Sequence, residues 1–427
     1  MKIHNNPSPQ DWSTILKRPT SDLRELELKV SVILEDIRAN GDQAVKNYTA
    51  KFDGVELDNF QVSQAELEAA NTLVSIELKE AIQVAKNNIS AFHAAQTSEL
   101  LLVETMPGVR CWRKSVPIQK VGLYIPGGTA PLFSTVLMLA VPAKIAGCEE
   151  MVLCTPPQKD GTVNPVILYT AQLVGITKIF KIGGVQAVGA MAYGTATVPK
   201  VYKIFGPGNQ YVTVAKQLIN KEGIAIDMPA GPSEVLVVAD DTANPAFVAA
   251  DLLSQAEHGV DSQVVLVAYD KPFVKKVLAA IETQVEALPR KEIAKAALEN
   301  SVAVIMPSRE TAVDLINAYA PEHLIISVDN THEFTDQIVN AGSIFLGNYT
   351  PESVGDYASG TNHTLPTNGF AKAYSGVSLD AFVKKITYQE ITPQGLQNIG
   401  HVVEKMAEAE QLVAHKNAVS IRLESLK

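Results

Sequence analysis

Cysteine is scarce in this chain: there are three in 427 residues, Cys111, Cys148 and Cys154. They form no C-x-x-C pair and are too few for a disulfide framework, so thiolate metal modules and disulfide scaffolds are excluded and reduced thiols are the default. Cys154 ends the strand-like run MVLCTPP, where a nucleophile can sit, yet no histidine lies near it in sequence and small cysteines commonly fill such cores. An excess of positive charge is also missing. The 36 Lys and Arg stand against 46 Asp and Glu, a formal charge of -10, and no global field draws phosphate backbones or anionic lipid. No apolar run reaches the roughly 18 uninterrupted residues of a membrane span, and the start MKIHNNPSPQDW lacks the apolar centre of a signal peptide. The expectation is a cytoplasmic protein that binds neither nucleic acid nor membrane. The dinucleotide fingerprint G-x-G-x-x-G is absent too, since GPGNQY stops short and GGVQAVG has the wrong spacing.

What is present is the grammar of an α/β protein with a hydrophobic share of 46%, long enough for two core-bearing domains. Residues 1 to about 20, with Pro7, Pro9 and Pro19, read as an extended arm lying on something else. From Ser21, with Glu25 four residues on, helical apolar spacing runs to Gly41, which suits a C-cap, and further helices make the first hundred residues mainly helical. At Val121 the pattern changes to short β-branched runs followed by glycines and helices: VGLYIPGG, MVLCTPP, KIFKIGG and VYKIFGPG. That series spells a Rossmann-like unit over about 120–231. A second series, SEVLVVAD, QVVLVAYD, VAVIMPS, HLIISV and SIFLG, spells another. Residues 349–378 form a polar loop too long for an ordinary connection, and loops of that length commonly carry function. A helical tail follows from 379.

Chemistry concentrates at a few places. The helix NPAFVAADLLS continues into QAEHG, so Gln255 and His258, three residues apart, project from one face of its last turn. Both side chains can hold zinc; the alternative is a helix-terminus hydrogen-bonder beside an unrelated histidine. Glu322 and His323, in APEHLIIS, sit where a helix stops at Pro321 and a strand begins. An adjacent acid and imidazole there can act as general base and acid, or be a surface carboxylate and a capping histidine. Asp356 and His363 in the long loop and Glu410 and His415 in the tail are further candidates. Gly127 and Gly128, Gly183 and Gly184, and Gly206 and Gly208 each follow a strand and precede a helix. Such turns expose backbone N–H groups to a nucleotide phosphate or merely make tight βα corners. Beside them, Gln186 and Asn209 can read a nucleotide's amides and hydroxyls, and Tyr124 can stack on it. Because Gln255, His258 and Glu322 precede strands, whereas open parallel sheets bind ligands beyond the strands' carboxyl ends, the expected site lies between the two units.

The runs YIPGGTAPLFSTVLM, GGVQAVGAMAYGT, KIFGPGN, IDMPAGPSEVLVVAD, DLLSQAEHG, PEHLII, GDYASGTNH and AHKNAVSIR, in this order, resemble the histidinol dehydrogenase family from about Gly122 to Ser420. The resemblance implies oxidation of L-histidinol through histidinal to L-histidine, with two NAD molecules reduced and one zinc per subunit. It implies zinc held by Gln255, His258, Asp356 and His415. Ser233, His323 and Glu410 would join these around the substrate, and Tyr124, Gln186 and Asn209 would contact NAD. Glu322 and His323 would be the acid/base pair. It also implies a homodimer interlocked through arm and tail, with His415 and Glu410 crossing between subunits. The expected architecture is thus two Rossmann-like parallel-sheet domains with a helical N-terminal region: an arm (1–20), a zinc and substrate domain (21–119 with 232–378), an NAD domain (120–231) and an interlocking tail (379–427). A zinc hydrolase using the same ligands, with Glu322 activating water, is the competing reading, though it leaves the glycine turns without a purpose.

Overall fold

A computed structural model describes residues 1–19, 23–127 and 131–427; Ser21, the expected start of the first long helix, and Gly128 lie outside them. The chain opens with β1 (Lys2–Asn5) and the short α1 (Trp12–Ile15), then four helices, α2 (Leu23–Asn40), α3 (Asp42–Phe52), α4 (Gln64–Leu73) and α5 (Ile76–Ala94). The strands β2 (Leu101–Met106) and β3 (Val109–Pro117) fold back on each other. One βα series comprises β4 (Lys120–Tyr124), α6 (Phe133–Ala146), β5 (Glu150–Thr155), α7 (Pro165–Val174), β6 (Lys178–Lys181), α8 (Gly184–Tyr193), β7 (Lys203–Phe205), α9 (Gln210–Lys221) and β8 (Ala225–Ile226). The next has β9 (Glu234–Ala239), α10 (Pro245–Ala256), β10 (Gln263–Ala268), α11 (Lys271–Val285), α12 (Lys291–Glu299), β11 (Val302–Ile305), α13 (Arg309–Tyr319), β12 (His323–Ser327), α14 (His332–Thr335) and β13 (Ser343–Leu346). Within the long loop lies α15 (Glu352–Tyr357), and β14 (Val383–Ile391), α16 (Pro393–Ala409) and α17 (Val413–Glu424) complete the chain.

These elements make two parallel sheets, ordered β6-β5-β4-β7-β8 and β1-β11-β10-β9-β12-β13, and a small antiparallel one, β14-β3-β2. Every residue of β9, β10 and β11 is buried, as expected of strands covered by helices on both faces. The helices start where the sequence provides caps: Asn244 before α10 and Asp270 before α11 each accept a backbone N–H and are followed within two residues by proline.

Packing corrects the expected grouping of 21–119 with 232–378. Val30, Leu34 and Ile37 of α2 and Val45 of α3 share a core with Val188 and Val212 on one face of the five-stranded sheet. Leu67 of α4 and Ile82 and Ile89 of α5 share another with Leu137 and Ile167 on the opposite face. The N-terminal helices therefore belong to the 120–231 sheet. The arm also has a home within its own chain. Its residues Lys2 to Asn5 pair in parallel with Val302 to Ile305 as an edge strand of the six-stranded sheet, and Leu16 enters that sheet's core. Among the described residues no helix is long and apolar enough to cross a membrane.

Candidate active site

In a βαβ unit the crossover helix runs back against its strand, so its C-terminus returns to the sheet edge where strands begin. Gln255 and His258 at the end of α10 consequently arrive beside the starts of β9 and β12. His323 is the first residue of β12 and lies in register with Val235 of β9. Glu322 precedes it, and Ser233 precedes Glu234 at the start of β9. The loop after β13 then adds α15, where Glu352 and Asp356 are four residues apart and share a face.

His323 is 3% exposed, and three carboxylates surround it. Its Nδ1 is 3.7 Å from Glu322 Oε2 and 3.8 Å from Glu352 Oε1, while Nε2 is 3.5 Å from Asp356 Oδ1. Nδ1 also lies 3.3 Å from the Glu234 carbonyl. Burial alone would lower His323, but Glu352, Glu322 and Asp356 outweigh it and hold the imidazole well above its ordinary value. Burial pushes the Glu322 and Glu352 carboxyls up to about 8, against the pull of His323. Asp356 is held low, its own burial being overcome by His323, His363 and His258. Glu322 Oε2 accepts from the Glu234 N–H at 2.9 Å. With its amide oriented to match its neighbours, Gln255 donates to Glu352 Oε1 and accepts from the Glu234 N–H at 3.0 Å. His258 keeps an exposed edge while protein atoms crowd the rest of its ring; that crowding lowers its pKa, with Asp356 opposing and His323 and His363 adding.

This cluster has the chemistry of a cation site. Ligand atoms of His323, Glu352 and Asp356 lie within 4.8 Å of one another. His323 Nε2 and Glu352 Oε2 are buried without a hydrogen-bond partner, which marks places where a metal ion or a substrate nitrogen would complete the polar network. Nitrogen and oxygen donors together suit zinc.

Behind the cluster stands a support that the sequence did not reveal. Arg18 of the arm pairs through Nε with Glu234, donates through Nη2 to Glu234 Oε1 at 3.0 Å and to the Tyr319 carbonyl at 2.8 Å, and stacks 3.9 Å from the centroid of the Tyr319 ring. Tyr319 Oη donates to Glu234 Oε2 at 3.1 Å. Glu234 thus fixes both Glu322 and Gln255 through its backbone while its own side chain is locked from below.

The glycine turns lie at the carboxyl edge of the five-stranded sheet. A Cβ on Gly206, whose φ is +128°, would stand 2.0 Å from the Tyr124 carbonyl oxygen, so only glycine lets the β7 turn approach β4 that closely. Tyr124 is buried, its hydroxyl accepts from the Gly184 N–H at 3.1 Å, and burial pushes its pKa up to about 12. Asn209 caps α9, its side-chain oxygen taking the N–H groups of Tyr211 and Val212 at 3.1 and 3.2 Å, which leaves its NH2 group to offer a ligand. The strand order reverses between β4 and β7, the position where doubly wound sheets hold nucleotides.

The two edges meet at the long loop. His363 Nε2 is 3.1 Å from Thr135 Oγ1 in the first turn of α6, and its Nδ1 is 2.8 Å from the Asp356 carbonyl oxygen. Asn362 donates to the Met138 carbonyl of the same helix at 2.6 Å. Glu410 and His415 stand apart, exposed around the junction of α16 and α17, and among the described residues no hydrogen bond or ion pair joins them to the cluster. Cys148 and Cys154 are buried with their thiols pushed up by burial, unlike activated nucleophiles.

Fold and site together define a doubly wound α/β protein with glycine turns at a strand-order reversal on one sheet edge and a buried histidine–carboxylate cluster able to hold a cation on another. The family model described as histidinol dehydrogenase matches residues 16–423. Named histidinol dehydrogenases from Bacteroides thetaiotaomicron and Haemophilus influenzae are 60% identical over 427 residues and 54% identical over 425, covering 100% and 99% of both this chain and theirs. The solved histidinol dehydrogenase of Elizabethkingia anophelis superposes with a TM-score of 0.98 at 56% identity, covering 100% of this chain and 98% of the other. The chain belongs to the histidinol dehydrogenase family.

Proposed function

We propose that the protein oxidises L-histidinol through L-histidinal to L-histidine, reducing two NAD molecules, as an enzyme of histidine biosynthesis in the cytoplasm. The observation that carries this reading is the full-length family match, with Glu322 and His323 buried side by side among polar groups that still lack partners. In the first oxidation a hydride passes from the carbinol carbon to NAD while the neutral form of His323, whose share grows as pH rises, takes the hydroxyl proton. In the second, Glu322 takes a proton from water as its oxygen adds to the aldehyde carbon, and the hydrate gives its hydride to a second NAD. A carboxyl raised to about 8 is mostly protonated at neutral pH and gains its basic form as pH rises through that value, so aldehyde oxidation should quicken from neutral to mildly alkaline pH. Tyr124, Gln186 and Asn209 would contact NAD. Gln255, His258 and Asp356, with His415 of a second subunit in a homodimer, would hold one zinc ion per site, and Ser233, His323 and Glu410 would border the substrate. Zinc would supply a fixed, positive anchor for the substrate's amino and imidazole nitrogens. The hydrolase alternative is not favoured, since it leaves the crevice unused. The test is the rise in NADH absorbance on adding L-histidinol, run with and without a chelator. A rise that the chelator abolishes supports the reading, and no NADH formation by zinc-loaded protein overturns it.

A further inference from the structure

Gln186, third residue of α8, is 1% exposed, and its two amide ends meet different fates. The NH2 group donates to Asp53 Oδ2 at 3.0 Å. The oxygen is buried with no hydrogen-bond partner. That oxygen lies beside the β6 turn: a Cβ built on Gly184 would meet it at 3.1 Å, and one built on Gly183 would meet Asp53 Oδ1 at 3.1 Å. The hydroxyl of Tyr124 closes the same turn through the Gly184 N–H.

An amide is nearly symmetric in shape, so packing alone leaves its two ends interchangeable. A carboxylate breaks the symmetry because it only accepts, and it draws the NH2 end. Burial pushes Asp53 up to about 6, with the Gln186 hydrogen bond opposing, and the group remains ionised at neutral pH. We infer that Asp53 is a positioning residue for the dinucleotide: by taking the Gln186 NH2 group it turns the amide oxygen into a fixed acceptor for a hydroxyl or amide N–H of the coenzyme. This rests on the reading of Gln186 as a coenzyme contact. A phosphate oxygen would find a second acceptor and a nearby negative charge at that point, so the subsite takes the donor-bearing part of the dinucleotide.

The test measures NAD dissociation constants by calorimetry for the full-length protein, Asp53→Ala, Gln186→Met and the double variant, with thermal melts in parallel. Each single change should weaken NAD binding by about five- to tenfold, the scale of one hydrogen bond, and the loss should appear in KM for NAD rather than in kcat. Because Asp53 acts through Gln186, the double variant should bind no more weakly than Gln186→Met alone. Unchanged binding in Asp53→Ala overturns the inference, and so does a double variant in which the two losses multiply. Unchanged binding in Gln186→Met instead overturns the coenzyme assignment beneath it. Should Asp53→Ala melt far below the parent, Asp53→Asn carries the test in a milder form, since its amide offers Gln186 either an acceptor or a donor: binding should weaken by about twofold in Asp53→Asn and stay unaltered when Asp53→Asn is added to Gln186→Met.

Discussion

Lys216 and Asp227 form a buried ion pair, with 5% and 1% of their side chains exposed, directly behind the β7 turn. Lys216 Nζ donates to the Gly206 carbonyl at 2.9 Å, and Asp227 takes the N–H groups of Gly206 and Met228 at 2.8 Å each. The pair therefore holds both polar groups of the one residue that must pass within touching distance of Tyr124. Lys216→Met keeps the length of the side chain but leaves Asp227 buried without its cation and the Gly206 carbonyl without its donor. Removing one partner of a buried pair costs about 3–5 kcal/mol, and the two backbone donors left to Asp227 place this case near the lower end. For a cooperative unit of about 200 residues, 1 kcal/mol moves the midpoint by about 2–4 °C, so a drop of roughly 6–12 °C is expected by calorimetric melting. Adding Asp227→Asn removes the stranded charge while keeping an acceptor for Gly206, and the double variant should melt above Lys216→Met alone. A single variant within about 1 °C of the parent, or a double variant that melts lower still, would show that the pair does not hold the β7 turn.

His258→Ala should lower zinc affinity by more than about tenfold, measured by atomic absorption after dialysis against graded metal buffers; unaltered loading removes His258 from the ligand set. Glu322→Gln keeps the shape and removes the base, and single-turnover kinetics should show aldehyde oxidation slowed by about 10²–10⁴ with a smaller effect on the alcohol step. Equal losses in both steps count against the division of labour. If His415 is supplied across a twofold dimer, refolding His258→Ala together with His415→Ala should restore about a quarter of full activity, because half the dimers are mixed and half their sites intact. No recovery despite demonstrated subunit exchange would sink the shared site.

The βα alternation from Val121 onward was legible because the strands are short runs rich in β-branched residues and several crossover helices, such as α7 and α10, start at a capping Asn followed by proline. The placement of Glu322 and His323 at a strand start was legible for the same reason. Contacts between distant segments were not. The hairpin of β2 and β3 gains its third strand from β14, some 270 residues on, and neither run alternates cleanly enough to announce a sheet. Nothing local in the first hundred residues says which sheet their apolar faces will cover; only the packed cores show that it is the five-stranded one. Glu352 was missed because PESVGD reads as a polar loop; the signal available was its spacing of four from Asp356 in a segment able to make a helical turn. Asp53 and Arg18 gave no signal, since their partners Gln186 and Glu234 are 133 and 216 residues away.

On the proposed mechanism one cluster carries an alcohol all the way to an acid. The direct measurement is the stoichiometry of a limiting reaction, with L-histidinol as the scarce reagent, NAD in excess, and NADH and product counted at completion. Two NADH and one L-histidine are expected for each L-histidinol consumed, without free histidinal accumulating. One NADH per L-histidinol, with the aldehyde as the final product, would contradict it.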